Sequence, residues 1–166
     1  MTELISPLVE ALKSISPVWA VLVVSALPLI ELRGAIPIGV AMGLPTLEVF
    51  LLAMLGNLAP VPFILLLLGP LRRWANHWPL IGPILRWAEE RAMRRKAEVE
   101  RYGFWGLAIF VGVPLPGTGA WTGALIAVLL EIPFWIALLS ITLGVLIAGV
   151  AIALLSALGL KAFQFL

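Results

Sequence analysis

Glu31 and Arg33 stand one residue apart in the stretch PLIELRGAIPIG, the only charges between Lys13 and Glu48. At the centre of a helix in lipid each would cost about 2.5–3.5 kcal/mol by insertion scales, and a pair costs less than either alone. The chemistry open to such a couple is proton exchange at the carboxylate and binding of an anionic group at the guanidinium. A plainer reading is a charge pair that pins a hairpin at the membrane interface. Gly34 and Pro37 interrupt the backbone beside the pair. A second interrupted stretch, Gly112-Val-Pro-Leu-Pro-Gly-Thr-Gly-Ala-Trp-Thr-Gly123, contributes Pro114, Pro116, Gly117, Thr118, Gly119, Trp121 and Thr122. Broken backbone in hydrocarbon needs partners inside the protein or in a polar cavity, so unwound amides and carbonyls are natural contacts for a substrate. The same residues also fit a packing kink, with the threonine hydroxyls satisfying freed backbone groups.

The remaining polar residues have simpler roles. Glu48 and Glu131 each lie close to the proline that opens an apolar run, where a carboxylate favours the positive end of a helix. Asn57 fits an interhelical hydrogen bond. His77 is the sole histidine and lies in the polar linker 70–102, and there is no cysteine, so neither a metal site nor a thiol nucleophile is expected. No phosphate-binding loop, serine triad or dinucleotide fingerprint occurs, so no cofactor, no ATP-driven pump and no enzyme is expected.

These residues must be positioned by elements built for lipid. Of 166 residues 62% are hydrophobic and 12% charged, and the mean hydropathy is +1.11. Such a composition cannot cover a water-facing surface. The net charge of +2 is too small for a nucleic-acid footprint. With Glu3 and Glu10 and no basic leader, the N-terminus is not expected to be a cleaved signal peptide. Residues 4–14 read as a short interfacial helix. The run after Ser16-Pro17 is too short to cross before Pro28, so 28–45 reads as a broken or re-entrant piece. Residues 46–69 are long enough for a full span, kinked around Asn57, Pro60 and Pro62.

Eight of the eleven basic residues fall in 70–102, which cannot lie in lipid and reads as cytoplasmic. Its second half spaces Arg86, Glu90, Arg94 and Glu98 four apart, as a solvated helix over 85–101 would. Residues 103–130 are broken in the middle, and 134–158 form the cleanest span. Gly149, Ala153 and Ala157 make a small-residue ridge along it.

Pro45 precedes Gly56 by eleven residues and Pro133 precedes Gly144 by the same eleven, an offset of 88. A broken piece lies upstream of each. The chain therefore reads as two copies of hairpin plus span. With a cytoplasmic linker between them the copies enter from opposite faces, an inverted-topology repeat.

At ELRGAIPIG (31–39) and PLPGTGAWTGA (114–124) the chain resembles the small multidrug export family, prokaryotic membrane proteins grouped with the DedA/VTT superfamily. Around Tyr102-Gly103 and from Phe110 to Pro116-Gly117 it is similar to the broader DedA pattern. The resemblance implies paired re-entrant hairpins of opposed orientation and a lipid-phosphate flippase or scramblase role, proton-coupled in some members, with polyprenyl phosphate among the substrates. Glu31 matches an acidic position of the first hairpin.

The expected object is a single all-α integral membrane domain over 1–166, in a prokaryotic inner or plasma membrane. Residues 1–69 form a first repeat, 70–102 a charged cytoplasmic helical linker and 103–166 a second repeat. Its expected role is to move an amphipathic or lipid-like substrate through a midplane site made by the two hairpins. A DedA-type flippase for polyprenyl phosphate or phospholipid is the alternative within that class. A non-catalytic membrane scaffold, docking through 85–101, is the alternative outside it. Expected partners are membrane lipids, the substrate and a second copy in a homodimer, because two spans and two hairpins cannot wall a polar path off from lipid.

Overall fold

The computed structural model describes residues 16–75, 90, 96–115 and 117–164, and all regular structure among them is helical. The expected interfacial helix at 4–14, most of the linker with His77, Arg86 and Arg94, and Pro116 lie outside the described residues. Among the described residues seven helices follow one another: α1 (Pro17–Ala26), α2 (Glu31–Ala41), α3 (Thr46–Leu58), α4 (Pro60–Ala75), α5 (Lys96–Gly112), α6 (Ala120–Leu129) and α7 (Phe134–Gln164). Two stretches among the described residues are long and apolar enough to cross a bilayer, Thr46–Pro70 with 25 residues and Phe134–Gly159 with 26. The first is interrupted at Ala59, because Pro60 and Pro62 have no N–H to give to the carbonyls four residues earlier. Along α3 the outward residues Leu47, Leu51 and Leu55 recur every fourth position, an apolar outer face suited to lipid tails.

The other helices are short. α1 and α6 have 10 residues and α2 has 11. α5 is divided at Gly103, whose φ of 52° and ψ of −124° leave a ten-residue apolar helix, Gly103–Gly112, beyond the kink. At 1.5 Å per residue each is about 15 Å long, half of a hydrocarbon core.

The chain divides into two compact units, Met1–Asn57 with Gly149–Leu166, and Leu58–Ala148. In the first, α1 and α2 pack as a helical hairpin around fully buried Val21, Leu32, Ala35, Ile36, Val49 and Ala53. Glycines set the closest approaches. A Cβ on Gly39 would lie 2.6 Å from Val21 and 2.8 Å from Val49, and one on Gly56 would run into the Leu22 carbonyl and the Ser25 hydroxyl of α1. Gly149, the first member of the small-residue ridge, receives the ring of Phe50 in the same way, at 2.8 Å.

In the second unit α6 packs against α4 and α5, with Leu107, Val111, Ala124, Ile126, Ala137 and Ile141 buried. Here a Cβ on Gly144 of α7 would lie 2.6 Å from the Ala108 carbonyl oxygen of α5, and one on Gly123 would lie 2.5 Å from Val111.

Internally, each unit repeats the other's local structure. The N–H groups of Met42, Gly43 and Leu44 donate to the carbonyls of Ile38, Val40 and Gly39, and those of Leu130, Glu131 and Ile132 donate to Ile126, Val128 and Ala127. Both sets form a Schellman ending with a left-handed residue, Gly43 at φ 89° and Glu131 at φ 54°. Each next helix then opens from a proline, Val49 N–H donating to Pro45 and Ala137 N–H to Pro133. The offset is 88 residues throughout. Over the first helices it is 86: Trp19 and Trp105 are 62% and 63% exposed, Val23 and Ile109 58% and 57%. Two residues are therefore added in the second hairpin turn, after Pro114.

Candidate functional site

The first hairpin turn is built by Leu27-Pro28-Leu29-Ile30. Leu27 N–H donates to the Val24 carbonyl, Glu31 N–H to Leu27 and Gly34 N–H to Ile30, so the chain reverses while keeping its amides bonded. Glu31 opens α2 with φ 53° and is only 5% exposed. A left-handed backbone costs a residue with a Cβ about 1–2 kcal/mol, and burial of a carboxylate adds to that cost unless it is partnered. Half-buried Arg33, on the same first turn, interacts with it electrostatically. Gly34 lies so close to the Ile30 side chain that a Cβ would collide with it. Pro37 is inside α2 and cannot donate to the carbonyl of Arg33, which loosens the helix one turn beyond the charge pair.

Aligned on Pro28 and Pro114, Glu31 corresponds to Gly117, whose φ is 81°. Each turn thus contains one left-handed residue, at the head of α2 in the first and three residues before α6 in the second. The second uses the residue that adopts it freely; the first uses a buried acid. Thr118 is 3% exposed and its hydroxyl lies 2.7 Å from the Val113 carbonyl and 2.8 Å from that of Leu115. Its one proton is shared between the two acceptors, so the hydroxyl holds the turn closed. Gly119 precedes α6 in extended backbone without a side-chain cap. Trp121 and Thr122 sit half-buried on the first turn of α6, and Pro114 and Gly117 are exposed. The structure thus gathers Glu31, Arg33, Gly34 and Pro37 at the head of α2 in the first unit, and Pro114, Gly117, Thr118, Gly119, Trp121 and Thr122 around the head of α6 in the second.

Glu48 occupies the first turn of α3, as the capping expectation requires. Glu131 does not cap α7: it is the left-handed residue that ends α6, and the first turn of α7 holds no acid. Asn57 was expected to bond across helices, yet it is fully buried with neither amide atom hydrogen-bonded, and the Ser140 hydroxyl is likewise without a partner. Two features escaped the sequence reading: the left-handed backbone at Glu31 and the unpaired amide of Asn57. The first had a signal, since setting Pro-Leu-Ile-Glu beside Pro-Leu-Pro-Gly puts an acid where a glycine stands.

A buried carboxylate beside a half-buried guanidinium at a strained turn can exchange a proton and hold a polar head group. Residues 31–151, more than half of the chain, match the family model described as "Putative small multi-drug export protein". The chain belongs to this family. Membership, together with the two spanning helices, makes it a membrane protein and points to a role in export. Neither the curated proteins nor the solved structures contain a match.

Proposed function

We propose that this family member moves an amphipathic, lipid-like substrate across the membrane, with the head of each half-length hairpin dipping from one face and Glu31 exchanging a proton during the cycle. The observation that carries the reading is Glu31 itself. It is buried, left-handed and coupled to Arg33, at the position where the other hairpin has Gly117. A fold that tolerates glycine there has no structural need for a carboxylate, and strain retained at one residue is a mark of use. Gly- and Pro-interrupted segments in corresponding positions of two halves are also where transporters of inverted-repeat design bind their cargo.

Arg33 is the lone cation in the two interrupted stretches 28–45 and 112–123. Phosphate recognition normally gathers several charge-assisted donors, so a cargo of low charge fits better than a polyprenyl phosphate of the DedA type. A homodimer remains part of the reading, since the polar hairpin heads need shielding from lipid. The test is reconstitution into liposomes with a tail-labelled fluorescent phospholipid and, separately, a drug-like organic cation, at two pH values. Wild type is expected to move one of these probes at a pH-dependent rate. Glu31→Gln is expected to lose at least tenfold in rate and to flatten the pH response. A folded Glu31→Gln protein with unchanged rate and pH response would refute the proton role.

A further inference from the structure

Among the described residues, Asn57 is the one whose chemistry packing accounts for least. It is fully buried, and neither its Oδ1 nor its Nδ2 has a hydrogen-bond partner. A buried amide without partners costs the stability of both unmade bonds. Its place along the helix adds a second observation. Asn57 is the twelfth of the 25 residues from Thr46 to Pro70, about 17 Å along the helix and so near the middle of a hydrocarbon core of about 30 Å. It stands two residues before the interruption at Ala59, where Pro60 cannot donate to the Gly56 carbonyl.

The internal repeat supplies a control. Eighty-eight residues on, the equivalent slot holds Val145, equally buried, beside Gly144 as Asn57 is beside Gly56. A branched aliphatic side chain therefore fills that slot without difficulty, and the packing does not require an amide. Ser140 also lacks a partner, but it lies only seven residues into its span and its equivalent, Leu52, is part of an ordinary helix face.

We infer that Asn57 is a binding contact at mid-depth for a neutral hydroxyl- or amide-bearing group of the transported molecule, its carbonyl accepting from and its NH₂ donating to that group. An amide can do both at once, which a charged side chain cannot. The ligand class follows: a head group that carries donor and acceptor together. The inference rests on the transport reading above and narrows its substrate class. The bonds this amide does not make within the protein cost stability, the expected companion of a built binding site.

The test compares wild type with Asn57→Leu and Asn57→Val, using two lipids of equal charge, phosphatidylglycerol, with two head-group hydroxyls, and phosphatidylethanol, with none. Binding is read on purified protein as the rise in melting temperature with short-chain forms of each lipid. Translocation is read in liposomes with tail-labelled forms. Wild type is expected to be stabilised by the glycerol lipid and to move it about tenfold faster than the ethanol lipid, the worth of one good buried hydrogen bond. Both variants are expected to melt higher than wild type, to show no glycerol-specific rise, and to move the two lipids equally. Equal stabilisation of wild type by the two lipids, or a glycerol preference that survives in Asn57→Val, overturns the inference. Glycerol-specific binding that depends on Asn57, without any translocation by wild type, leaves the inference standing and sinks the transport reading instead.

Discussion

Among the described residues two glutamates adopt a left-handed backbone, and their surroundings separate two uses of the same conformation. Glu131 is exposed and ends α6 at the place where Gly43 ends α2. The Schellman geometry demands a left-handed residue there, and the glutamate adds nothing that a glycine would lack. Glu31 is buried, interacts electrostatically with Arg33 and, counted from Pro28 and Pro114, matches Gly117 of the other half. Relief of strain should therefore be free of consequence at one position only. Glu131→Gly is expected to raise stability by about 1 kcal/mol, the left-handed penalty less the extra unfolded-state entropy of glycine, with transport unchanged. Thermal unfolding in detergent together with the liposome assay checks both halves. A Glu131→Gly protein that melts lower, or transports more slowly, would show that this carboxylate has a role its exposure does not reveal.

At the scale of elements, glycines decide how closely the helices approach. Gly56 and Gly144 occupy equivalent positions and each faces a backbone carbonyl of the first helix of its hairpin, Leu22 and Ala108. Backbone cannot yield as a side-chain tip can, so Gly56→Ala and Gly144→Ala are expected to destabilise by about 1–3 kcal/mol each through overpacking. Gly69, with nothing within 4 Å of where its Cβ would be, is the contrasting case. Gly69→Ala should be neutral or stabilising by up to about 1 kcal/mol from helix propensity. Melting temperatures of the three variants check the contrast, and equal losses at all three would remove the close-packing explanation. These elements were legible in the sequence because proline and glycine act locally: Pro28, Pro45, Pro60, Pro114 and Pro133 each fall at a helix boundary. The 88-residue offset of Pro45–Gly56 and Pro133–Gly144 was also visible. What could not be read was whether a polar group would find a partner. Asn57 and Thr118 are both small polar residues in apolar runs; one is left unpaired and the other closes a turn onto two carbonyls. That outcome depends on which backbone comes within about 3 Å, a tertiary fact absent from local sequence.

For the whole molecule the open physical question is orientation. Local structure repeats with a shift of 88 residues, and the first copy ends in a stretch long and apolar enough for one passage, Thr46–Pro70, followed by a strongly basic stretch. A single passage reverses the side of the membrane on which the second copy begins. If that basic stretch is cytoplasmic, as the positive-inside tendency requires, the turn at Pro45 faces outward and its equivalent at Pro133 faces the cytoplasm. The chain contains no cysteine, and both prolines are exposed, so single variants Pro45→Cys and Pro133→Cys report directly. A membrane-impermeant maleimide added to intact cells is expected to label Pro45→Cys and spare Pro133→Cys, with the pattern reversed in inside-out vesicles. Two helices of about 15 Å cannot cross a core of about 30 Å singly. Hence the same experiment decides whether each hairpin returns to the face it entered. Labelling of both positions from one side would mean that one hairpin crosses fully, and the proposal of opposed half-depth hairpins would fall with it.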